Sequence, residues 1–459
     1  MTQTQKNIIK ASVVIMILFL LIIIAFLITL GQSDKLINSP YNKRLNELRK
    51  TTQIGSIYDT NSILLAGYED GERTYSSDSQ VRNAVSHLVG DTYGYCPTGA
   101  EITFASLLLN YNESFFSTVL RLIKGQQRQG EDIQLTVDYN LNVFAYDLMQ
   151  NYSGAVIVQD YTTGEILCMV STPAFDPETI LDDLDENTEK EAFINRAVQG
   201  QYAPGSLFHI VTAGAAIKYI DYIQNREFFC DGSYTVDDET ISCGTSHGKI
   251  TLEEAFALSC DCVFAELGVE LGAKNLTSFA EQLKFNYDFN YTGLSLYTSN
   301  ISVSRDEEDA AFAYAAIGQH EDTVSPLHMS MIAGAIANDG IMVTPKILKA
   351  VDGKVTSASH GTAIMSEDIA TILQQYMTGD TAIDYINNAS GSVEICCTDA
   401  IALSSTDESL YPNSWFLAYI NNENHPLAIC VITEQSYVEE NVSAYIGKSI
   451  LEYAYSIGY

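Results

Sequence analysis

Basic residues are scarce in this chain of 459 residues: 24 Lys and Arg stand against 58 Asp and Glu, for a formal net charge of -34. No stripe of Lys and Arg is available to neutralise phosphates, which argues against nucleic acid as a partner. The same imbalance disfavours docking onto an anionic membrane surface, and self-repulsion that keeps an acidic domain dispersed accounts for the charge. Internal repeats and low-complexity tracts are absent. With 46% hydrophobic residues the chain can build a packed core, and its length suits two or three domains.

One stretch lacks charge altogether. Ala11 to Leu30 (ASVVIMILFLLIIIAFLITL) is long enough to cross about 30 Å of hydrocarbon as a helix. Its apolar core is too long for a cleaved signal peptide and no small-x-small cleavage site follows closely, so an uncleaved single span is expected. Lys6 and Lys10 precede it without an acid, which keeps the N-terminus cytoplasmic and the bulk of the chain extracytoplasmic. Lys43, Arg44, Arg49 and Lys50 weaken that asymmetry without reversing it.

Nine cysteines make an odd count, so at least one is free or pairs between chains. Cys230 and Cys243 flank a short loop and can bridge in an oxidising compartment. A zinc site drawn from Cys230, Cys243, His247, Cys260 and Cys262 is conceivable, but the spacings fit no familiar ligand pattern. Neither a metal nor a cofactor is expected.

The chain is organised around Tyr202-Ala203-Pro204-Gly205-Ser206-Leu207-Phe208-His209, which runs into the apolar Ile210 to Ile217. Pro and Gly break the preceding segment, so a buried helix with Ser206 in its first turn should follow. Residues three apart share a helix face, which sets Ser206 beside His209. Taken alone, Ser206 reads as an N-cap and His209 as a satisfied core histidine.

The surrounding text changes that reading. Pro204-Gly205-Ser206 followed by His209 resembles the nucleophile segment of penicillin-binding proteins, the cell-wall transpeptidases, in which Pro-Gly-Ser-x-x-Lys carries the reactive serine and its lysine partner. Here His209 stands where the lysine is expected. Gly55 to Ser62 with Leu65-Ala66 resembles the opening of the class B members, and Arg73-Thr74-Tyr75, His87 to Gly90 and Gly130 to Asp138 continue the likeness. So do Phe175-Asp176-Pro177, Asn195-Arg196-Ala197, Ala316 to His320, Val324 to Met329 and Ala337 to Gly340. The resemblance covers nearly everything after the apolar stretch. It implies an α+β fold: a cytoplasmic tail and transmembrane helix over 1–31, a small pedestal module over 32–150, and a transpeptidase-like domain over 151–459 with an antiparallel sheet between helical layers. Two β-rich runs, Gly154 to Asp160 and Ile166 to Ser171, joined by a turn containing Gly164, read independently as a hairpin. Trp415 to Tyr419 and Leu427 to Ile432 read as two adjoining strands, and Glu440 to Tyr459 as a closing helix.

Acyl transfer from D-alanyl-D-alanine needs a nucleophile, a base, an oxyanion hole and a cation for the terminal carboxylate. Ser206 keeps the nucleophile, at a helix N-terminus that favours developing negative charge. His209 replaces an amine on a long stem with a shorter imidazole that can act as a base near pH 7. The second motif of the resemblance, Ser-x-Asn, reads Ser259-Cys260-Asp261: Ser259 can relay a proton, whereas Asp261 exchanges an amide donor for an anion. The third, Gly-Lys-Thr-Gly-Thr-Ala, is assigned to Cys396-Cys397-Thr398-Asp399-Ala400-Ile401, which puts Cys397, Thr398 and Asp399 at the substrate-binding strand with Cys397 in the lysine's place. Two lysines are then lost and two carboxylates gained where an anionic peptide end must dock, and a like charge at about 4 Å costs on the order of 4 kcal/mol at an effective dielectric of about 20. A cysteine hydrolase built on Cys397 has no supporting signature; paired cysteines on a strand are more often buried apolar residues.

The expectation is therefore a class B penicillin-binding-protein-like pseudoenzyme at the bacterial cell membrane, acting in peptidoglycan synthesis as scaffold or partner of other cell-wall or division membrane proteins. It is anchored in the lipid bilayer through residues 11–30 and has weak or absent affinity for stem peptide or β-lactam. The alternative is an active serine D,D-transpeptidase or carboxypeptidase using Ser206 with His209 as base. A module that binds uncrosslinked peptidoglycan without turnover is a third reading.

Overall fold

The computed structural model describes residues 10, 12–24, 42–180, 190–289, 291, 293–378, 395–402, 412–435 and 442–459. Its centre is an antiparallel sheet of five strands: Gly154–Asp160 (β1), Ile166–Thr172 (β2), Ile395–Ala402 (β3), Asn413–Ile420 (β4) and Leu427–Thr433 (β5). Spatially they run β3, β4, β5, β1, β2. β1 and β2 form the expected hairpin about Gly164, whose φ of 74° suits glycine. Both are buried on both faces, which explains their unbroken apolar runs.

Helices cover each face. Helix Pro326–Ala337 lies on one side with the helices His209–Tyr219 (α1) and Asp261–Gln282 (α2), in a large apolar cluster that includes Leu207, Phe264, Met329, Ala402 and Trp415. Helices Tyr139–Met149 and Val442–Ser456 cover the other side, where Leu141, Ile446, Ile450, Cys397 and Phe416 form a second cluster. Ahead of α2 the chain is helical but interrupted: Leu252–Ala257 ends, Ser259 takes a left-handed φ of 50°, and α2 begins at Asp261.

The N-terminal part carries its own six-stranded sheet, ordered Lys354–Val355, Leu348–Val351, Ile133–Leu135, Ile57–Tyr58, Leu64–Glu69, Glu72–Tyr75. Two of its strands come from far beyond residue 150, so the two parts of the chain interleave. Two of its acids are matched by guanidinium groups. Glu101 is fully buried, with Arg73 Nε 2.5 Å from Oε1 and Arg49 Nη1 3.6 Å from Oε2. Glu113 receives Arg121 Nε and Arg128 Nη2, each at 2.9 Å.

Residues 12–24 are helical, with exposed apolar side chains such as Phe19 and Ile22. Among the described residues no helix is long and apolar enough to cross a membrane; the rest of the expected span over 11–30 lies largely outside them.

Candidate active site

Ser206 lies in a 3-10 turn, Gly205–Phe208, that leads into α1. The turn is tighter than the expected first α-turn because Gly205 enters it at a φ of 55°, its N–H donating to the Gly318 carbonyl at 3.1 Å. A Cβ on Gly205 would come within 2.9 Å of the Ala402 Cβ, so the serine turn is pressed against the end of β3. The preceding loop is pinned as well: Trp415 Nε1 donates to the Ala203 carbonyl at 3.1 Å, and Tyr202 Oη donates to Glu434, which Arg196 holds at 2.8 Å. Sequence reasoning missed Glu434, which carries no motif signature. Ser206 itself is half-buried, and among the described residues no hydrogen bond joins its hydroxyl to His209.

His209 is turned elsewhere. Its ring is buried and stacks on Phe264, with centroids 3.8 Å apart and planes inclined by 8°. Nε2 lies 3.3 Å from Asp261 Oδ1, off the line needed for a hydrogen bond. Asp261 occupies the first position of α2, where the helix dipole favours an anion. Among the described residues no lysine or arginine pairs with it. The structure thus brings Asp261 to His209, while Ser259 stands exposed at the left-handed corner between the two helices.

The pleat of β3 divides the third assigned motif. Alternate residues of a strand share a face: Cys396, Ala400 and Ala402 join the cluster that holds Leu207 and Phe208, and Thr398 has their parity. Cys397 instead packs in the cluster under Val442–Ser456, and burial raises its thiol far above the ordinary range. Asp399 is exposed and has the parity of Cys397, opposite Phe416 on β4. The position facing the serine side is therefore Thr398, one residue later than the motif assignment placed the lysine. Spacing alone could not reveal this, because the assignment had no fixed contact, whereas Ala402 against Gly205 supplies one.

Four further side chains meet beside Asp261. Strand Phe228–Cys230 pairs with Gly248–Ile250, and Ser233–Val236 pairs with Glu239–Ser242 inside that excursion. The ladders bring Cys230, Cys243 and His247 back to Cys260, so that one polar atom from each lies within 4.8 Å of all the others. Cys230 and Cys243, candidates for a bridge, are unbridged thiols here. Burial raises Cys230, yet the backbone amides of His247 and Gly232 beside it draw the thiol down to about 6. A surface cavity of about 420 Å³ lined by Lys274, Glu281 and Arg305 among others contains none of the motif residues.

The profile of the penicillin binding protein transpeptidase domain matches residues 154–452. The chain belongs to that family. It is 26% identical to the peptidoglycan D,D-transpeptidase PbpA of Mycolicibacterium smegmatis over 93% of each chain. It is 28% identical to the peptidoglycan D,D-transpeptidase MrdA of Acinetobacter baumannii, over 52% of this chain and 38% of that one. The fold matches the crystal structure of PbpA from Mycobacterium tuberculosis with a TM-score of 0.78 at 24% identity, covering 88% of this chain and 100% of that one. It also matches the imipenem acyl-enzyme complex of that bacterium's penicillin-binding protein A, with a TM-score of 0.78 at 23% identity over 89% and 99%. The α+β architecture, with its antiparallel sheet between helical layers, is that of the penicillin-binding proteins.

Proposed function

We propose that this chain is a membrane-anchored, catalytically degenerate penicillin-binding protein that serves peptidoglycan synthesis as a scaffold or partner of other cell-wall membrane proteins. The observation that carries the reading is His209: at the place of the family's lysine stands an imidazole stacked on Phe264 and turned to Asp261, without a hydrogen bond to Ser206. Thr398 supplies no cation for a peptide carboxylate on the serine side of β3. The uncharged stretch over 11–30 supports a single span with the N-terminus in the cytoplasm and the family domain outside, and the pedestal over 32–150 spaces that domain from the bilayer. Exposure of the full chain to a fluorescent penicillin tests the proposal: no Ser206-dependent label is expected, and a label that vanishes in Ser206→Ala overturns it.

One observation favours a second reading. An acid beside a histidine three residues from a serine has the parts of a nucleophile, base and orienting carboxylate, and such contacts tighten when substrate binds. In that case Ser206 acylates with His209 as base, and both His209→Ala and Asp261→Asn suppress labelling while the fold persists.

A further inference from the structure

We infer that Cys230, Cys243, His247 and Cys260 form a structural zinc site that fixes the second motif, Ser259-Cys260-Asp261, in place. The inference does not depend on whether Ser206 reacts.

Distances support this ligand set. Zinc binds thiolate at about 2.3 Å and imidazole nitrogen at about 2.0–2.1 Å, so a tetrahedral ion sets sulfurs about 3.8 Å apart and sulfur and nitrogen about 3.6 Å apart. Cys243 Sγ lies 3.6 Å from Cys260 Sγ and 3.5 Å from His247 Nδ1, and the whole quartet falls within 4.8 Å. Three sulfurs and one imidazole in a closed tetrahedron suit zinc, while calcium and magnesium demand oxygen ligands. Cys230 and Cys260 are buried, Cys243 and His247 partly so, which keeps the site from open solvent without closing it to metal entry. The sequence offered these four together with Cys262, but their spacing fits no familiar ligand pattern because they come from three segments, aligned only once the two ladders pair.

The chemistry balances simply. The three thiols release their protons to solvent, the neutral imidazole gives its Nδ1 lone pair, and the resulting complex carries one net negative charge. Its structural effect falls on Cys260, the N-terminal flank of α2, which has no side-chain cap. A bond from Cys260 to the ion ties the 228–250 excursion to the start of α2. It also holds Ser259 in its left-handed conformation and Asp261 in reach of His209.

The test uses the full chain purified in detergent under reducing conditions without added chelator. Elemental analysis should find one zinc per chain. Replacement by cobalt should give the intense thiolate charge-transfer and tetrahedral d–d absorption of such a site. Cys243→Ser and His247→Ala should lose the metal while far-ultraviolet circular dichroism shows the fold retained, and Cys262→Ser, outside the quartet, should keep it. Should either ligand variant fail to fold, chelation of the intact protein must release zinc with a fall in melting temperature. A folded, reduced protein that binds neither zinc nor cobalt overturns the inference. So does metal content unchanged in both ligand variants.

Discussion

Two acids, Glu101 in the N-terminal part and Asp261 at the candidate site, are held in opposite ways. Glu101 is taken wholly out of water and met by two guanidinium groups, an arrangement that stands only because the buried carboxylate has cations beside it. Asp261 keeps a third of its side chain exposed, at 32%, and faces an imidazole at the head of a helix. Among the described residues, guanidinium groups pair with the acid of the N-terminal part and none pairs with the acid at the candidate site. The first region thus answers charge with charge in the interior, whereas the second leaves its acid to solvent and an imidazole.

The strongest way to break this contrast is Glu101→Ala. It strands Arg73 and Arg49 in an apolar setting and should cost about 3–5 kcal/mol, read from denaturant unfolding. Next is the register of β3. Cys397→Lys forces an amine among Ile446, Ile450 and Phe416 and should destabilise the chain by about 3 kcal/mol, while Thr398→Lys, half-buried on the other face, should change stability by about 1 kcal/mol or less. Equal costs for the two would show that the pleat has been misassigned.

A third measurement uses a buried base instead of a buried acid. Burial pulls His328 from 6.5 to about 4, although its Nε2 meets the Leu283 carbonyl at 2.8 Å. As pH falls the unfolded chain takes up this proton first, so stability present above pH 6.5 is lost between 6.5 and 4. His328→Phe, seated between Phe285 and Phe289, should remove up to about 3 kcal/mol of that acid-side loss. Asp322, raised to about 7 by burial, slopes the other way in both proteins, so the difference between them isolates the histidine. The smallest effect belongs to the site: Asp261→Asn should cost about 1 kcal/mol or less, since its pair with His209 is partly solvated.

Much of the fold could be read from the chain. The β1 and β2 hairpin showed itself through a glycine turn between apolar runs, and Trp415 and Leu427 marked the central strands, because a strand buried on both faces leaves an uninterrupted signal. Local text could not show which way β3 faces, since Cys397 and Thr398 exchange faces with a shift of one residue. Nor could it show the break at Ser259, which has no Gly or Pro to announce it. Nothing local marks Phe264 as the aromatic that stacks on His209, because that role depends on a partner fifty-odd residues away.

The strands Leu348–Val351 and Lys354–Val355 that finish the N-terminal sheet impose an order on synthesis. A chain emerging from its N-terminus exposes Ile133–Leu135 as a raw edge until residue 351 has left the ribosome. The part nearest the start of the polypeptide is thus completed late, and a nascent chain halted midway would carry an adhesive border that a binding helper, or a second copy, could seize.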